Sequence, residues 1–219
     1  MTKHYFSTRH TAERGENREL YFTPKPIIKA VVSNLLFDHP ELYDKVWIDP
    51  CAGDNRWVEE ISKYGIKAYG YDIVPLDPYV AKQDFFEFTT PLRSDEVFFI
   101  GNPPFTLVKE FVWKALHLAQ QSYFLGGSAV VCGTLSTRVA TLHRFVGEEG
   151  NQKDKRSKIK FEDSNGNDVC VWCCGGLFEY PSHKNFELID TLTDNSFAIS
   201  AKKYCVADNR VVAIKRGVV

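Results

Sequence analysis

The motif with the most specific chemistry is Asn102-Pro103-Pro104-Phe105, which directly follows an apolar run at residues 97–100. Consecutive prolines can neither continue a sheet ladder nor enter a helix interior, so they fix an extended, rigid backbone. Such a backbone presents the Asn102 side-chain oxygen and the Pro103 carbonyl as two aimed acceptors. Acceptors that bind both N–H groups of a planar aromatic amine favour its pyramidalisation and direct its lone pair towards a methyl donor. Phe105 adds a ring on which a flipped base can stack. The plain alternative is a proline-rich turn in which Asn102 bonds only to local backbone.

Three successive candidate strands end in a carboxylate, at Asp49, Asp72 and Asp84. Ligands of open α/β sheets bind outside the carboxyl ends of the strands, so these side chains are expected to converge on one crevice. The loop at residues 49–55 has small residues where a backbone must approach a ligand closely, and it lacks the G-x-G-x-x-G pattern of nicotinamide enzymes. Asp72 stands where a carboxylate can accept hydrogen bonds from both ribose hydroxyls of an adenosine. Taken singly, Asp49 or Asp72 could instead cap a helix or a turn, and it is their order that favours a cofactor site.

Alternating strand and helix patterns separate these motifs. Short apolar runs that predict strands lie at residues 46–48, 68–71, 97–100 and 129–132. Apolar residues with helical spacing begin after Pro26 and recur at residues 56–64 and 107–119. The alternation predicts an α/β fold with a doubly wound, mostly parallel sheet. Two later runs, at residues 169–174 and 211–215, are expected to pair as an antiparallel hairpin at the sheet edge.

Length and composition predict one soluble domain over residues 1–219, since 44% of the residues are hydrophobic and 25% are charged. No apolar run is long enough to span a membrane, and the polar first 20 residues do not look like a secretory signal, so a cytoplasmic location is expected. The net charge of −1 means that any nucleic-acid contact must use a local patch. Residues 137–168 are expected to be a substrate-contacting loop region, in which the candidate phosphate contacts are Lys153, Lys155, Arg156 and Lys158. A solvated loop is the alternative for this basic run.

The cysteines and histidines do not form a metal-binding pattern. Cys170, Cys173 and Cys174 lie in an apolar run whose alternation turns Cys170 and Cys174 to one face and Cys173 to the other. The sequence has no second cysteine pair with zinc-ligand spacing, so buried thiols and no metal are expected. It also has neither an H-E-x-x-H motif nor a G-x-S-x-G nucleophile elbow.

The order of the motifs resembles the amino-methyltransferases of the gamma arrangement, which include many N6-adenine DNA methyltransferases of bacteria and phages. The resemblance covers residues 20–135 and rests on Tyr21-Phe22-Thr23-Pro24, residues 49–53, Asp72, Asp84-Phe85 and residues 102–105. It implies the Rossmann-like methyltransferase fold, with S-adenosyl-L-methionine as cofactor. The family usually has glycine where Asn55 stands, and asparagine tolerates positive φ better than most residues.

The resemblance also implies roles for individual residues. Thr23 would lie near the cofactor carboxylate, Asp72 would bind the ribose, and Asp84 with Phe85 would address the cofactor adenine. The full set of implied cofactor contacts is Tyr21, Phe22, Thr23, Pro24, Asp49, Pro50, Cys51, Ala52, Gly53, Asp72, Ile73, Asp84, Phe85 and Asn102. The target amine would be held by Asn102, Pro103, Pro104 and Phe105.

Three functions stay open at this point. The first is methylation of the adenine N6 amine in DNA, by base flipping and direct transfer, in the cytoplasm of a bacterium or of a phage host. The second is methylation of adenine N6 in RNA or of glutamine N5 in protein, because the same acceptor pair suits any planar amine or amide. The third is a non-catalytic nucleic-acid-binding module, which is disfavoured because the acidic positions and the acceptor motif occur together. Few residues remain for a target-recognition domain, so recognition is expected to be short or loose, or supplied by a partner or a dimer.

Overall fold

The computed structural model describes residues 20–127, 130–131, 135, 138–146, 158–163, 165–179, 185–192, 200–207 and 210–215. These residues form twelve strands. The strands are β1 (Tyr21–Phe22), β2 (Val46–Asp49), β3 (Ala68–Asp72), β4 (Ala81–Lys82), β5 (Val97–Gly101), β6 (Gln121–Gly127), β7 (Val139–Val146), β8 (Lys158–Asp163), β9 (Asp168–Glu179), β10 (Asn185–Leu192), β11 (Ser200–Ala207) and β12 (Arg210–Lys215). The helices are α1 (Lys25–Asp38), α2 (Arg56–Ser62) and α3 (Val108–Leu118), with 3-10 turns at Pro40–Asp44 and Phe105–Leu107. None of the described helices is long and apolar enough to cross a membrane.

The strands lie in the order β12-β11-β10-β7-β9-β6-β5-β2-β3-β4, and β1 joins the sheet through β8, which pairs with β9. Neighbours from β4 to β6 are parallel, whereas β9 is antiparallel to β6, β7 and β8. The predicted doubly wound, mostly parallel α/β sheet is confirmed. Because β2 lies between β3 and β5, the chain reverses its direction of winding there, and the carboxyl ends of β2 and β5 flank the topological switch point at which open sheets bind ligands.

Helices cover both faces of the sheet because the central strands are apolar on both sides. Side chains of β5 alternate, so that Phe98 and Ile100 pack under α1 and α2, whereas Phe99 packs under α3. All five residues of β5 are buried, which is typical of a parallel strand covered on two faces. Helix α1 begins with proline in its first turn, where no backbone donor is needed.

One predicted strand is wrong. Residues 129–132 were expected to form a strand on their apolar character, but Val130 and Val131 lie in a helical turn, and Ala129 and Cys132 fall outside the described residues. The strand is β6, a few residues earlier, whose polar first residues and terminal glycines hide it in the sequence. Val131 instead packs over Gly126, where an added Cβ would lie 3.0 Å from the Val131 Cγ2 atom.

The antiparallel hairpin at the sheet edge is formed by a different pair of strands from the one expected. The run at residues 169–174 belongs to β9, which is an interior strand between β6 and β7, and the run at residues 211–215 belongs to β12, which pairs with β11. Strand β9 is interior because it is apolar on both faces: Cys173 packs into one core and Cys174 into the other. The antiparallel hairpin at the sheet edge is therefore β11–β12. The region at residues 137–168 contains β7 and β8 besides residues outside the described part.

Candidate active site

A cavity of about 550 Å³ opens at the carboxyl ends of β2, β3 and β5. Its lining includes most of the residues predicted from the sequence: Tyr21, Phe22, Thr23, Pro50, Cys51, Ala52, Gly53, Asp72, Ile73, Asp84, Phe85, Asn102 and Pro104. Four other predicted residues, Pro24, Asp49, Pro103 and Phe105, are not among its lining residues. The structure thus brings together segments that are more than 80 residues apart in the chain.

Asp72 connects the loop after β2 to the end of β3. Its Oδ2 atom accepts a hydrogen bond of 2.9 Å from the Gly53 N–H, and its Oδ1 atom accepts one of 2.8 Å from the Val74 N–H. A carboxylate oxygen has more than one acceptor site. Asp72 also lines the cavity.

The loop after β2 is compact because two of its residues adopt left-handed backbone conformations. Gly53 has φ of +51°, and Asn55 has φ of +70° as the only non-glycine residue with positive φ in the described part of the chain. Asparagine tolerates this conformation, so the loop turns without the glycine that is usual at this position in the amino-methyltransferases that the sequence resembles. The loop also needs Gly70 on the adjacent strand, since a Cβ at Gly70 would lie 2.8 Å from the Ala52 Cβ atom.

Asp49 lies behind this loop, with only 1% of its surface exposed. Its Oδ1 atom accepts a hydrogen bond of 3.0 Å from the Cys51 N–H, and its Oδ2 atom has no hydrogen-bond partner. Burial raises the pKa of Asp49 to about 7. The chain is close-packed here, since a Cβ at Gly101 would lie 2.5 Å from Asp49 Oδ1. Burial, followed by the Asp49 carboxylate, also raises the pKa of the Cys51 thiol well above its usual range, which disfavours a nucleophilic thiolate.

The Asn102 side chain is held in one orientation by strand β1. Its Nδ2 atom donates a hydrogen bond of 2.7 Å to the Tyr21 carbonyl, which can only accept. The Asn102 Oδ1 atom is buried and has no hydrogen-bond partner. One half of the amide is therefore committed to the protein, while the other half is an acceptor without a protein partner.

Phe105 belongs to an aromatic cluster on the same side as Asn102. Its ring centroid lies 6.1 Å from that of Tyr21 and 5.9 Å from that of Phe161 on β8. Tyr21 and Phe161 are also 6.1 Å apart, so the three rings form a closed set. Tyr21 lines the cavity, whereas Phe105, which is half-buried, and Phe161, which is fully buried, are not among its lining residues.

Three phenylalanines, Phe85, Phe86 and Phe111, also line the cavity. Asp84 Oδ1 accepts a hydrogen bond of 2.9 Å from the Phe86 N–H, which turns the chain so that Phe85 and Phe86 both contact Phe111 of α3. The ring centroids are 5.1 and 5.2 Å from that of Phe111. A carboxylate beside apolar rings suits an aminated aromatic ring such as adenine, because the rings can stack and the carboxylate can accept from the amine.

Several lining residues were not predicted from the sequence, namely Leu20, Asp54, Arg56, Trp57, Phe86, Thr106, Leu107 and Phe111. Arg56 is the most notable, because both Asp54 carboxylate oxygens accept from it and its guanidinium lies 4.8 Å from the Phe22 ring centroid. Adjacency to the loop at residues 49–55 was the only signal for Arg56 and Trp57. Phe111 was recognised as part of an apolar helix face, but nothing in that pattern indicates that one end of the face borders a cavity.

Most of the basic residues predicted to contact phosphate lie outside the part of the chain that the structure describes. Lys153, Lys155 and Arg156 lie outside the described residues, and Lys158 is the first residue of β8, with its side chain outside the described part. Lys160, in the same run, forms an exposed ion pair of 2.9 Å with Asp168. The phosphate contacts therefore stay a prediction.

Comparison with known proteins gives similarity of fold. No family model matches the chain, and no curated protein matches it in sequence. A protein from Pyrococcus horikoshii described as an RNA methyltransferase superposes with a TM-score of 0.56 and 15% identity, over 74% of this chain and 86% of that one. A type I restriction-modification methyltransferase subunit from Streptococcus thermophilus gives 0.53 and 9%, over 77% of this chain and 46% of that one. A modification subunit described for a type I restriction enzyme of Vibrio vulnificus gives 0.51 and 11%, over 90% and 51%. The chain thus spans about half the length of the two restriction subunits. At these identities the likeness concerns the fold, and the chain has the Rossmann-like fold of the methyltransferase type.

Proposed function

We propose that this protein transfers a methyl group from S-adenosyl-L-methionine to the N6 amine of adenine in nucleic acid, with DNA favoured over RNA. The observation that carries the proposal is the Asn102 amide, whose Nδ2 atom is bound by the Tyr21 carbonyl while its Oδ1 atom is buried without a hydrogen-bond partner. An acceptor oriented in this way, followed by two prolines, is what an aromatic amine needs in order to act as a nucleophile.

The residues of the cavity fit the proposed cofactor. Asp72 would hold the ribose hydroxyls, and Asp84 with the rings of Phe85 and Phe111 would hold the adenine. Thr23, the residue after β1, would lie at the methionine end. Among the charged residues lining the cavity, three are aspartates, Asp54, Asp72 and Asp84, and one is a cation, Arg56. An excess of carboxylates favours a ligand with a positively charged sulfonium and ammonium group.

When bound, the cofactor supplies a methyl group on a sulfonium sulfur, which keeps the C–S electron pair on transfer. The protein orients the acceptor amine. Asn102 Oδ1 accepts from one N–H and the Pro103 carbonyl from the other, so the nitrogen lone pair is drawn out of conjugation and aimed. After transfer the nitrogen carries one proton too many, which stays hydrogen-bonded to Asn102 Oδ1 until it is lost to solvent. No covalent enzyme intermediate is needed, in keeping with the raised pKa of Cys51.

A nucleobase is favoured over a glutamine side chain by Tyr21, an aromatic residue that lines the cavity and packs against Phe105 and Phe161. A flipped base presents a flat ring that can stack beside the acceptor, and base–aromatic stacking contributes about 1–3 kcal/mol. A glutamine amide presents no such ring. Partner supply of sequence recognition stays a proposal, as does the choice of DNA over RNA.

Calorimetric titration of the cofactor tests the cofactor half of this proposal. Asp72→Ala should weaken binding of S-adenosylmethionine by about 1–3 kcal/mol, because a charged acceptor is lost and the Gly53 N–H loses its partner. Asp95→Ala is the matched control, since Asp95 precedes β5 at the other end of the sheet and pairs with Arg93. Failure of the unmodified protein to bind the cofactor would refute the proposal, and equal affinity of the Asp72 and Asp95 variants would refute the assigned site.

A further inference from the structure

Arg56 is a mostly buried cation that lines the cavity and contacts several elements around it. It is the first residue of α2, directly after the loop at residues 49–55, and its side chain is 15% exposed. Its Nε atom donates to both Asp54 oxygens, at 3.1 and 2.8 Å, and its Nη2 atom lies 2.6 Å from Asp54 Oδ2. Its Nη1 atom donates to the Thr23 carbonyl at 3.1 Å, and Nη2 lies 3.5 Å from Glu162 Oε2.

Arg56 contacts both β1 and its neighbour β8. The Arg56 guanidinium lies over the Phe22 ring, and Phe22 pairs with Glu162, the residue that Arg56 also meets through its ion pair. The next residue of α2 adds a further bond, since Trp57 Nε1 donates to Thr23 Oγ1 at 3.3 Å. The first two residues of α2 therefore contact residues 22–23 through an aromatic ring, a backbone carbonyl and a hydroxyl.

Strand β1 needs such support because its own ladder is short. It has two residues, Tyr21 and Phe22, and within the described residues it pairs with β8 alone. A pair of this length is marginal by itself. Yet Tyr21 provides the carbonyl that orients the Asn102 amide at 2.7 Å. The orientation of the acceptor thus depends on a strand that side chains from elsewhere must hold in place.

We propose that Arg56 is a positioning residue for Asn102: it fixes β1 against the cofactor loop, and β1 orients the Asn102 amide so that its oxygen faces the target amine. The loop at residues 49–55 is then connected to the amine acceptor, Asn102, through the two-residue strand β1. The effect on turnover rests on the proposed function, whereas the effect on the Asn102 amide does not.

An ordinary surface ion pair would not have this effect, because exposed pairs contribute at most about 1 kcal/mol and constrain little. Arg56 differs because it is mostly buried and because its planar fork binds a carboxylate and a carbonyl at fixed angles. Lys25 offers a matched control on the same side of the molecule. It forms a 2.9 Å ion pair with Glu59 of α2, is 56% exposed, and has no role in holding Tyr21 in this account.

The test follows the Asn102 side-chain amide by NMR in protein labelled with ¹⁵N-asparagine and without any ligand, its signal being assigned by its loss in Asn102→Ala. In the unmodified protein the proton donated to the Tyr21 carbonyl should exchange slowly with solvent. Arg56→Gln should accelerate this exchange by at least about tenfold, since opening of β1 becomes easier. Arg56→Lys should give an intermediate rate, because a lysine keeps the charge and loses the fork. Lys25→Gln should exchange as the unmodified protein does.

Turnover gives the second readout. Arg56→Gln should lower the single-turnover rate by about tenfold or more at saturating substrate, since a displaced acceptor costs rate rather than binding, with a smaller change in cofactor affinity. Unchanged exchange of the Asn102 amide in folded Arg56→Gln would overturn the inference whether or not the protein is a methyltransferase. If Arg56→Gln does not fold, exchange in Arg56→Lys equal to that of the unmodified protein would overturn it. Accelerated exchange without any methyl transfer by the unmodified protein would uphold the positioning role and reject the proposed function.

Discussion

Replacing Asn102 by aspartate gives the sharpest test of how the acceptor is oriented. Asparagine has a donor and an acceptor, and the structure uses the donor on the Tyr21 carbonyl at 2.7 Å. An ionised carboxylate in its place would set two acceptor oxygens against each other at that distance. A protonated carboxyl would not, because its O–H can donate to the Tyr21 carbonyl and leave the second oxygen as an acceptor, as the amide does. We therefore expect Asn102→Asp to work when protonated and to fail when ionised.

The magnitude follows from the contacts. A buried carbonyl left without its donor costs about 1–3 kcal/mol, and this cost falls on the ionised form alone. Burial and the facing carbonyl both disfavour the charged form, so the pKa of the introduced carboxyl should lie above the usual value of about 4. In the ionised form the rate should fall by about 10²–10³, the scale for loss of one preorganised polar contact. The ratio of variant to unmodified rate should therefore rise as the pH falls.

Single-turnover methylation measured from about pH 5 to pH 8 checks this, with the rate of each variant divided by that of the unmodified protein at the same pH so that shared titrations cancel. Asn102→Ala serves as control, because it has no group that titrates and its ratio should be low and flat. A ratio for Asn102→Asp that is flat, or that rises with pH, would show that the Tyr21 carbonyl does not set the orientation of residue 102.

Three other changes have expected outcomes. Asp49 has a pKa of about 7 against 3.8 for the unfolded chain, so the unfolded state loses the proton first and stability falls as pH rises from about 4 to about 7. At about 1.4 kcal/mol per pH unit, the loss in the free energy of unfolding amounts to at most about 4 kcal/mol. Urea unfolding of Asp49→Asn, measured across this pH range, should lack this part of the loss. A pH dependence equal to that of the unmodified protein would contradict the burial of a titrating carboxyl. Phe105→Ala should weaken substrate binding by about 1–3 kcal/mol, measured as KM, with Phe105→Tyr tolerated, and a loss of cofactor affinity instead would remove Phe105 from the substrate side. Replacing Lys155, Arg156 and Lys158 should make the slope of log binding constant against log salt concentration shallower by about 0.9 per phosphate contact on duplex DNA, without changing sequence preference. An unchanged slope would indicate that this run is only a solvated loop.

The order of motifs was enough to predict the fold and most of the cavity lining. Asp49, Asp72 and residues 102–105 follow strands of one parallel sheet, and parallel strands with connecting helices place their carboxyl ends on one edge. The position of β6 could not be predicted in the same way. Its polar start and glycines give it less strand character than the run at residues 129–132, and only packing against β5 and β9 decides between them.

The contacts that orient the site could not be predicted from the sequence either. The Asn102 amide is bound by a carbonyl 81 residues earlier in the chain, and the pairing of β1 with β8 brings together residues more than 130 apart. No local pattern encodes such contacts, because each depends on the register of strands that meet only in the folded sheet. Arg56 is a further case, since an arginine at the start of a helix usually indicates only an exposed residue.

The central claim is most directly tested by incubating the protein with S-adenosylmethionine carrying a tritiated methyl group, together with DNA or RNA, and separating the nucleosides after digestion. We expect label in the N6-methyladenine nucleoside, with DNA the better acceptor, and near-complete loss of this label with Asn102→Ala but not with Lys25→Gln. Label on cytosine, label only in protein, or equal labelling by Asn102→Ala and the unmodified protein would contradict the central claim.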